Sequence, residues 1–499
     1  MRSDRVPLPR SGGLAPRWRV LGVTTFGSFI ANLDATIVVV ALPRILVGLH
    51  TDFVAAMWTM TGYLLVSTVL LLPIGRLSDL VGRKRLYEAG FVLFALASAL
   101  CGLSASGAQL VLFRLLQGVG GALLTSIATP LIAEAFPPGE LGRALGINSV
   151  AWVLGSVVGP LAGGLLVGTF GWRSVFFVTV PFGLVAAVAA HRILPEFRRA
   201  AAQSPPERPT LRQALDPLGG GAFTVGVTAI LLALSQGLDW GWASARLVGL
   251  YALGALALSG FVAAELRSRA PMFDLRLLGR TRFASAQLVG LFSSVGFFAT
   301  TFLLTFYLQG VLGKSALEAG VLMIPLSLPQ FITGPLGGWV GDRAGQGPPM
   351  LLGLALLVVA AVLLSRLGGH LIVGAVVVPL LLMATANGLY WPPLTSAVMR
   401  LVPRDRLGAG AGLFYTLRNL GFSLSLALAL VFAEGSLPPA TAAQVFLGTH
   451  VHLGHGAIRQ LVVGIRVAFR FSALFFAAAL LAALPLWRRI AGPTTESRR

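Results

Sequence analysis

Long apolar runs separated by short polar segments dominate the chain. We count fourteen runs, each close to the roughly 20 residues that a helix needs to cross the hydrocarbon core of a bilayer. They cover residues 20–43, 55–74, 86–104, 109–132, 144–168, 174–191, 217–236, 247–265, 286–309, 317–340, 349–366, 371–397, 408–433 and 467–487. The pattern predicts an all-α polytopic membrane protein with fourteen transmembrane helices.

The composition agrees with a lipid environment. Of the 499 residues, 56% are hydrophobic and 11% are charged, whereas soluble domains carry about 25% charged residues. The single cysteine, Cys101, excludes a disulfide framework and a cysteine-based zinc site. The formal charge of +20 would suit nucleic acid, but the basic residues sit in short loops between apolar runs. We therefore expect a lipid bilayer and no nucleic acid among the partners.

Positive charge is spread unevenly over these loops. Most of the 38 lysines and arginines fall in alternate loops, on the same side as the N-terminal segment. By the positive-inside rule, both termini are predicted to be cytoplasmic. We expect the membrane to be the cytoplasmic (inner) membrane of a bacterium. The first run is longer than the core of a signal peptide and has no small-residue cleavage site, which predicts an uncleaved first helix.

Two loops, 192–216 and 434–466, are longer than simple connectors. If spans 7 and 8 are an insertion, the predicted units in chain order are a six-helix bundle (1–191), a Pro- and Arg-rich cytoplasmic linker (192–216), two inserted transmembrane helices (217–265), a second six-helix bundle (286–487) with an outer loop at 434–466, and a cytoplasmic tail (488–499). The two long bundles suggest the internal duplication that is common in secondary carriers.

Two loops share the repeat G-x-x-x-D-x-x-G, eight spans apart. One runs from Gly75 to Arg85, and the other from Gly338 to Gly345. If the two inserted helices are set aside, each loop joins the second and third helices of its bundle. The repeat therefore places the two loops in equivalent positions on the cytoplasmic side.

The charges of these loops predict a conformational switch. Asp79 can bond to a helix N-terminus and hold the cytoplasmic side shut until that bond breaks; the alternative is charge that only sets topology. The second loop has Gln346 and Gly347 where the first has Arg83 and Lys84, so we expect a weaker second latch. The predicted switch residues in the two loops are Gly75, Asp79, Arg83, Asp342 and Arg343.

Five further segments support a comparison with a known family. They are Leu33–Pro43 in span 1, Arg114–Gly121 in span 4, Gly155–Gly164 in span 5, Gly171–Arg173 before span 6 and Tyr307–Gly310 at the end of span 9. Together with the loop at Gly75–Arg85, they resemble the motifs of the major facilitator superfamily, specifically its fourteen-span drug:proton antiporters (EmrB/QacA type). The resemblance covers essentially the whole chain. It implies two six-helix bundles with two extra central helices, and export by alternating access.

Asp34 is the acidic residue that we place deepest in a span. It lies about 14 residues, or ~21 Å, from the cytoplasmic end of the first helix. An acid there faces a cavity, pairs with a cation or takes up a proton, and Arg114 at a similar depth in span 4 is its natural partner. Gln117, one turn further on, can join the same network. We predict proton coupling by Asp34 and Arg114 and substrate contact by Asp34 and Gln117; a purely structural role is the alternative.

Span 5 combines four glycines and a proline within ten residues. Proline kinks a helix and glycine permits close approach of a neighbour, so Gly155, Gly159, Pro160 and Gly163 are predicted to act in gating. The alternative is ordinary packing of small residues.

Aromatic and amide residues in the spans are candidates for the wall of a substrate cavity, because they suit flat amphipathic compounds. The candidates are Trp58, Tyr63, Trp152, Gln287, Tyr307, Gln330, Asn387, Tyr390, Trp391 and Tyr415. Arg418, next to Asn419 in span 13, is a second intramembrane polar site, either functional or structural. Spans 9–14 contain no deep acidic residue, which argues against dicationic substrates.

The sequence lacks the motifs of ATP-driven pumps and of common enzymes. The chain has no G-K-[ST] phosphate loop, no H-E-x-x-H and no serine-nucleophile elbow, which argues against an ATP-driven pump and against an enzyme. His450, His452 and His455 have metal-like spacing without a neighbouring acid or cysteine, so we expect a solvated loop and no metal.

These observations predict a proton-coupled antiporter that exports small amphipathic compounds, as in multidrug or metabolite efflux. We expect a monomer that needs a small-molecule substrate and protons, with no cofactor beyond the proton gradient; whether a periplasmic adaptor extends the export path is left open. The alternatives are an uptake carrier or facilitator for a small nutrient, and a membrane-embedded sensor or enzyme.

Overall fold

The helices of the chain follow its apolar runs. A computed structural model describes residues 16–51, 53–196, 217–268, 271, 273, 275–314, 316–368, 372–434 and 455–487. Within these residues, all regular secondary structure is helical. The α-helices are α1 (Pro16–Gly48), α2 (Phe53–Val81), α3 (Arg83–Leu103), α4 (Gly107–Ala135), α5 (Leu141–Phe170), α6 (Ser174–Phe177), α7 (Thr179–Ile193), α8 (Pro217–Trp240), α9 (Ala245–Arg267), α10 (Thr281–Thr305), α11 (Ala316–Met323), α12 (Gln330–Ala344), α13 (Gly347–Leu364), α14 (Val373–Leu401), α15 (Leu407–Glu434) and α16 (His455–Ala483).

Twelve helical segments of the described residues are long and apolar enough to cross a membrane. Helices α10 and α15, of 25 and 28 residues, occupy the ninth and thirteenth predicted spans but are not among those twelve. An all-helical polytopic membrane protein is thus confirmed, whereas the count of fourteen spans is not.

The last helix begins earlier than the sequence predicts. Helix α16 starts at His455, inside the predicted outer loop 434–466, and residues 435–454 of that loop lie outside the described residues. Leu461, Val462 and Ile465 are buried and recur at the spacing of one helix face. This short apolar face was missed because the segment also carries Arg459 and Arg466.

Two predicted spans in the second half are not continuous α-helix. The span at 317–340 is interrupted by a 3₁₀ turn at Ile324–Leu326 before α12 begins at Gln330. Pro325 and Pro329 explain the break, because proline lacks the N–H group that continues a helix. The span at 286–309 ends in a π-helical turn at Phe306–Val311.

The helices form two bundles and a peripheral pair. In the first bundle (α1–α7), α1 lies against α5, α2 against α4, and α3 against α4 and α7. In the second bundle (α10–α16), α10 packs on α15 and α16, and α14 on α12 and α13. Helices α8 and α9 pack on each other, and α8 also contacts α2 and α15. The pair therefore lies beside the junction of the bundles.

The two bundles meet through glycines at one end of the molecule, where α2 lies against α15 and α5 against α12. A Cβ atom added to Gly75 would overlap the carbonyl oxygen of Gly408, and one added to Gly338 would overlap that of Gly142. Only glycine permits backbones to approach so closely. We call this end, which carries both repeated loops, the loop end.

Candidate functional site

An acid, an arginine and a glutamine form a polar cluster inside the first bundle. Asp34 of α1 accepts hydrogen bonds from Arg114 Nη1 at 2.7 Å and from Gln117 Nε2 at 2.8 Å, one on each carboxylate oxygen. Arg114 also donates to Gln117 Oε1 at 2.5 Å. Because Arg114 and Gln117 are three residues apart on α4, both side chains reach the same acid. The structure thus brings the proposed coupling pair into direct contact.

Neighbouring groups complete the hydrogen bonding of this cluster. Arg114 Nε donates to the Thr59 carbonyl of α2 at 2.8 Å, and its guanidinium carbon lies 4.4 Å from the centroid of the Tyr63 ring. Gln117 Nε2 also donates to Ser98 Oγ of α3 at 2.7 Å. Sequence reasoning missed Thr59 and Ser98, because a backbone carbonyl and a serine in an apolar helix carry no local signal.

The cluster is closed to solvent in this conformation. Asp34 and Gln117 are 0% exposed and Arg114 is 1% exposed. Their side chains interact with α2 and α3 and do not line the cavity between the bundles in this conformation. Substrate contact by Asp34 and Gln117 stays a prediction. A proton can reach Asp34 only after a helix movement opens a path.

A small cavity lies between the two bundles. Its volume of about 10 Å³ is room for roughly one water molecule. The Thr129 and Tyr415 hydroxyls, one from each bundle, lie 2.7 Å apart across it. Of the predicted cavity residues, Trp152 and Tyr415 line this space. The full lining is Ser28, Ala31, Leu124, Thr125, Ala128, Thr129, Asn148, Trp152 and Tyr415.

Arg418 of α15 sits among aromatic rings next to this cavity. Its guanidinium carbon lies 4.7 Å from the ring centroid of Tyr415, 5.3 Å from that of Trp152 and 5.7 Å from that of Trp391. Arg418 is 8% exposed and donates only to Asn419 Oδ1, at 3.1 and 3.2 Å. Trp152 belongs to the first bundle and the other rings to the second, so the arginine lies at the junction of the bundles.

The other predicted cavity residues lie elsewhere. Tyr63 packs on Arg114 of the buried cluster, and the Tyr307 hydroxyl donates to the Gly368 carbonyl at 2.9 Å. Asn387 and Gln330 hydrogen-bond to each other across α14 and α12. Residue type alone does not reveal which helix face a side chain occupies. Outside this cavity's lining are Trp58, Tyr63, Gln287, Tyr307, Gln330, Asn387, Tyr390 and Trp391.

The two repeats, predicted as loops, are helical as far as Val81 and Ala344, so Asp79 lies on α2 and Asp342 on α12. Asp79 of the first repeat binds the start of a helix in the opposite bundle. Its carboxylate accepts from the backbone N–H groups of Gly408 and Ala409 at 2.9 and 3.0 Å, at the beginning of α15. Arg83 donates to Asp79 at 2.7 Å and also pairs with Glu134. We call these groups the first latch.

Asp342 of the second repeated loop makes the equivalent contact in the reverse direction. It accepts from the backbone N–H groups of Gly142 and Arg143, both at 2.9 Å, at the beginning of α5. Arg400 of α14 donates to Asp342 at 2.7 Å. We call these groups the second latch. The reason given for a weaker second latch fails, because α14 supplies the cation that the second loop itself lacks.

Arg343 lies apart from the groups of the second latch, and its switch role stays a prediction. Its guanidinium carbon lies 4.2 Å from the Trp339 ring centroid, and the side chain is exposed. On α12, adjacent residues point in directions about 100° apart, so Asp342 and Arg343 do not face the same neighbour. The other predicted switch residues of the two loops all lie at the loop end.

The glycines of α5 pack on α1 within the first bundle. Added Cβ atoms would contact or overlap α1 at Gly155, Gly159 and Gly163, and Thr36 Oγ1 donates to the Gly155 carbonyl at 3.0 Å. Pro160 is exposed on another face. In this conformation, the glycines join α5 to the helix that carries Asp34; the gating role stays a prediction.

The described residues contain no group of three His, Cys, Asp or Glu that could hold a metal ion. His450 and His452 of the histidine motif lie outside the described residues, and His455 is the first residue of α16.

Comparisons with known proteins agree with this architecture. A family model described as Major Facilitator Superfamily matches residues 24–426. The chain is 32% identical over 420 residues to the tetracenomycin C resistance and export protein of Streptomyces glaucescens, covering 84% of this chain and 76% of that protein. It is 30% identical over 427 residues to the multidrug transporter protein MdtP of Bacillus subtilis (strain 168), with the same coverage. The crystal structure of the human organic anion transporter MFSD10 (TETRAN) is similar, with a TM-score of 0.63, 18% identity and coverage of 94% of this chain and 99% of that one.

Proposed function

Because the chain belongs to the Major Facilitator Superfamily, whose members are membrane transporters rather than enzymes, we propose that it exports small amphipathic compounds in exchange for protons. The observation that carries this proposal is the fully buried Asp34, held by Arg114 and Gln117 inside a helical bundle. An ionisable group at such a position is costly and is usually functional.

Pairing with Arg114 couples the charge of Asp34 to helix position. An adjacent arginine favours the ionised carboxylate, and its withdrawal favours the protonated acid. Asp34 lies on α1 and Arg114 on α4, so a relative movement of these helices changes the proton affinity of the acid. Proton binding from outside and release inside would then drive the exchange of conformations.

The two latches support alternating access. Each joins a carboxylate of one bundle to a helix N-terminus of the other, where the helix dipole favours negative charge. We propose that the loop end is cytoplasmic and closed in this conformation, and that both latches break when it opens. This would expose the cavity beside Trp152 and Tyr415 to substrate.

The topology that we propose has fourteen spans. Helices α10 and α15 are long enough to cross a bilayer at 1.5 Å per residue and pack among the other long helices of the second bundle. Counting them gives two six-helix bundles and the α8–α9 pair, as in fourteen-span drug:proton antiporters. Both termini are then cytoplasmic, in the bacterial cytoplasmic membrane, and the protein works as a monomer powered by the proton gradient.

Two relatives support export as the direction of transport. One is named for tetracenomycin C resistance and export, and the other as a multidrug transporter. We therefore propose antibiotic-like or metabolite compounds as the substrates of this chain.

The test is a screen of compound accumulation in bacteria that lack their own major exporters. Cells with the wild-type protein should accumulate less of at least one compound, and a protonophore should abolish the difference. Asp34→Asn should abolish it too, whereas Glu196→Gln should not, because the Glu196 side chain is 68% exposed. Export that survives both the protonophore and Asp34→Asn would refute proton coupling.

A further inference from the structure

Arg418 is a buried cation without a carboxylate partner among the residues that the structure describes. Its two hydrogen bonds go to a neutral amide oxygen, that of Asn419, which in turn donates to Thr68 Oγ1 of α2 at 3.0 Å. Two other buried arginines have carboxylate partners: Arg114 pairs with Asp34, and Arg83 pairs with Asp79. A buried charge that lacks a counter-charge is costly, so this position favours a ligand that supplies one.

The surroundings of Arg418 have the shape and chemistry of a ligand site. Its Nη1 forms no hydrogen bond with any described residue, whereas an arginine offers five N–H donors in a planar fork. Trp152, Trp391 and Tyr415 offer aromatic faces within 6 Å of the cation. Rings of this kind stack on flat ligands, and an arginine fork binds carboxylates in a bidentate manner.

Access to Arg418 depends on the movement of the bundles. Trp152 and Tyr415 line the cavity between the bundles, together with the polar side chains of Ser28, Thr129 and Asn148. These three can hydrogen-bond to hydroxyl or carbonyl groups of a ligand. The cavity holds about one water molecule now, so a larger ligand can enter only when the bundles separate.

We propose that Arg418 and its aromatic neighbours bind planar aromatic anions, such as aromatic carboxylates, as the substrates of this transporter. The inference rests on the proposed export function, because it assigns the substrate class of that same cavity. Asp34 does not oppose an anion here, since its charge is neutralised by Arg114 and buried away from the cavity.

Equilibrium binding to the purified protein tests the proposal without a proton gradient. The probes are tritiated 2-naphthoate and, as competitors, its neutral analogue 2-naphthamide and the cation 2-naphthylmethylammonium. Wild-type protein should bind 2-naphthoate at least about tenfold more tightly than either analogue, because a charge-assisted bidentate contact is stronger than a neutral one. A tenfold difference in Kd corresponds to about 1.4 kcal/mol. Arg418→Gln should remove this preference while leaving the affinity for 2-naphthamide nearly unchanged, and Arg418→Lys should keep part of it.

Arg246→Gln is the matched control, because Arg246 also lies over a tryptophan, at 5.9 Å from the Trp240 ring, but is exposed on the peripheral pair. It should bind all three probes as the wild type does. Size-exclusion profiles identify any variant that fails to fold. If Arg418→Gln does not fold, a reduced preference for 2-naphthoate in Arg418→Lys supports the proposal, and an unchanged preference contradicts it. Failure of wild-type protein to bind 2-naphthoate, or a preference that survives in Arg418→Gln, would overturn the proposal. If Arg418→Gln loses the preference for 2-naphthoate but the wild-type protein shows no proton-dependent export, the proposed proton coupling is refuted and the anion site stands.

Discussion

The buried carboxylate of Asp34 costs free energy unless its neighbours compensate its charge. Asp34 is 0% exposed, and isolated burial of such a charge would be strongly unfavourable. Arg114 and Gln117 donate to both carboxylate oxygens, and they also donate to the Thr59 carbonyl and to Ser98 Oγ, respectively. The arrangement is therefore stable only as a set, and loss of one member leaves the others without partners.

Stability measurements should reveal this dependence. Asp34→Asn leaves Arg114 buried without a counter-charge, so we expect a loss of roughly 3–5 kcal/mol in the free energy of unfolding. The double variant Asp34→Asn/Arg114→Gln should recover much of that loss without recovering transport. Thermal unfolding in detergent measures the stability of the single and of the double variant. A single variant as stable as the wild type would mean that the ion pair is not held buried.

At this scale, the sequence predicts some contacts and misses others for physical reasons. The Asp34 and Arg114 pair is predictable because opposite charges at equal depth in a bilayer have few other partners. Arg400 escaped notice because it lies near a helix end, where basic residues are common. Its contact with Asp342 depends on how α14 folds against α12, which no local pattern encodes.

Contacts between helices of opposite bundles hold the loop end closed. The first latch joins α2 to α15 and the second joins α5 to α12, and glycine pairs lie beneath both. The repeat predicted the two acids, because it places them in equivalent loops. It could not predict which backbone N–H groups donate to these acids, because Asp79 and Gly408 are 329 residues apart in the chain.

A methyl group at the second glycine contact should open the loop end. The Cβ atom in Gly338→Ala would overlap the Gly142 carbonyl, whereas that in Gly320→Ala meets nothing within 4 Å. The reporter is Ser149→Cys in a Cys101→Ser background, since Ser149 is 5% exposed and lies opposite Gly334 at the same interface. Maleimide should label the introduced thiol several-fold faster in Gly338→Ala than in the reporter protein alone or in Gly320→Ala. Equal labelling in all three would argue that the glycine contact does not hold the loop end closed.

The whole molecule combines the buried Asp34–Arg114 ion pair with an interface between the bundles that contains two equivalent latches. Two bundles meet through two latches, each linking an acid to the helix N-terminus of the other bundle. Such symmetry suits rocking of one bundle against the other about a central cavity. The apolar runs predicted an all-helical membrane protein, because run length is a local property of the sequence. The burial of Asp34 away from the cavity depends on tertiary packing and could not be predicted.

In the proposed mechanism, Asp34 carries the exchanged proton. Proton movement in liposomes that contain the purified protein tests this role most directly, and it is followed with a trapped pH-sensitive dye while an exported compound from the accumulation screen is added. We expect substrate-driven proton movement with the wild-type protein and none with Asp34→Asn, although that variant still binds the compound. Equal proton movement with both proteins would show that Asp34 does not carry the proton.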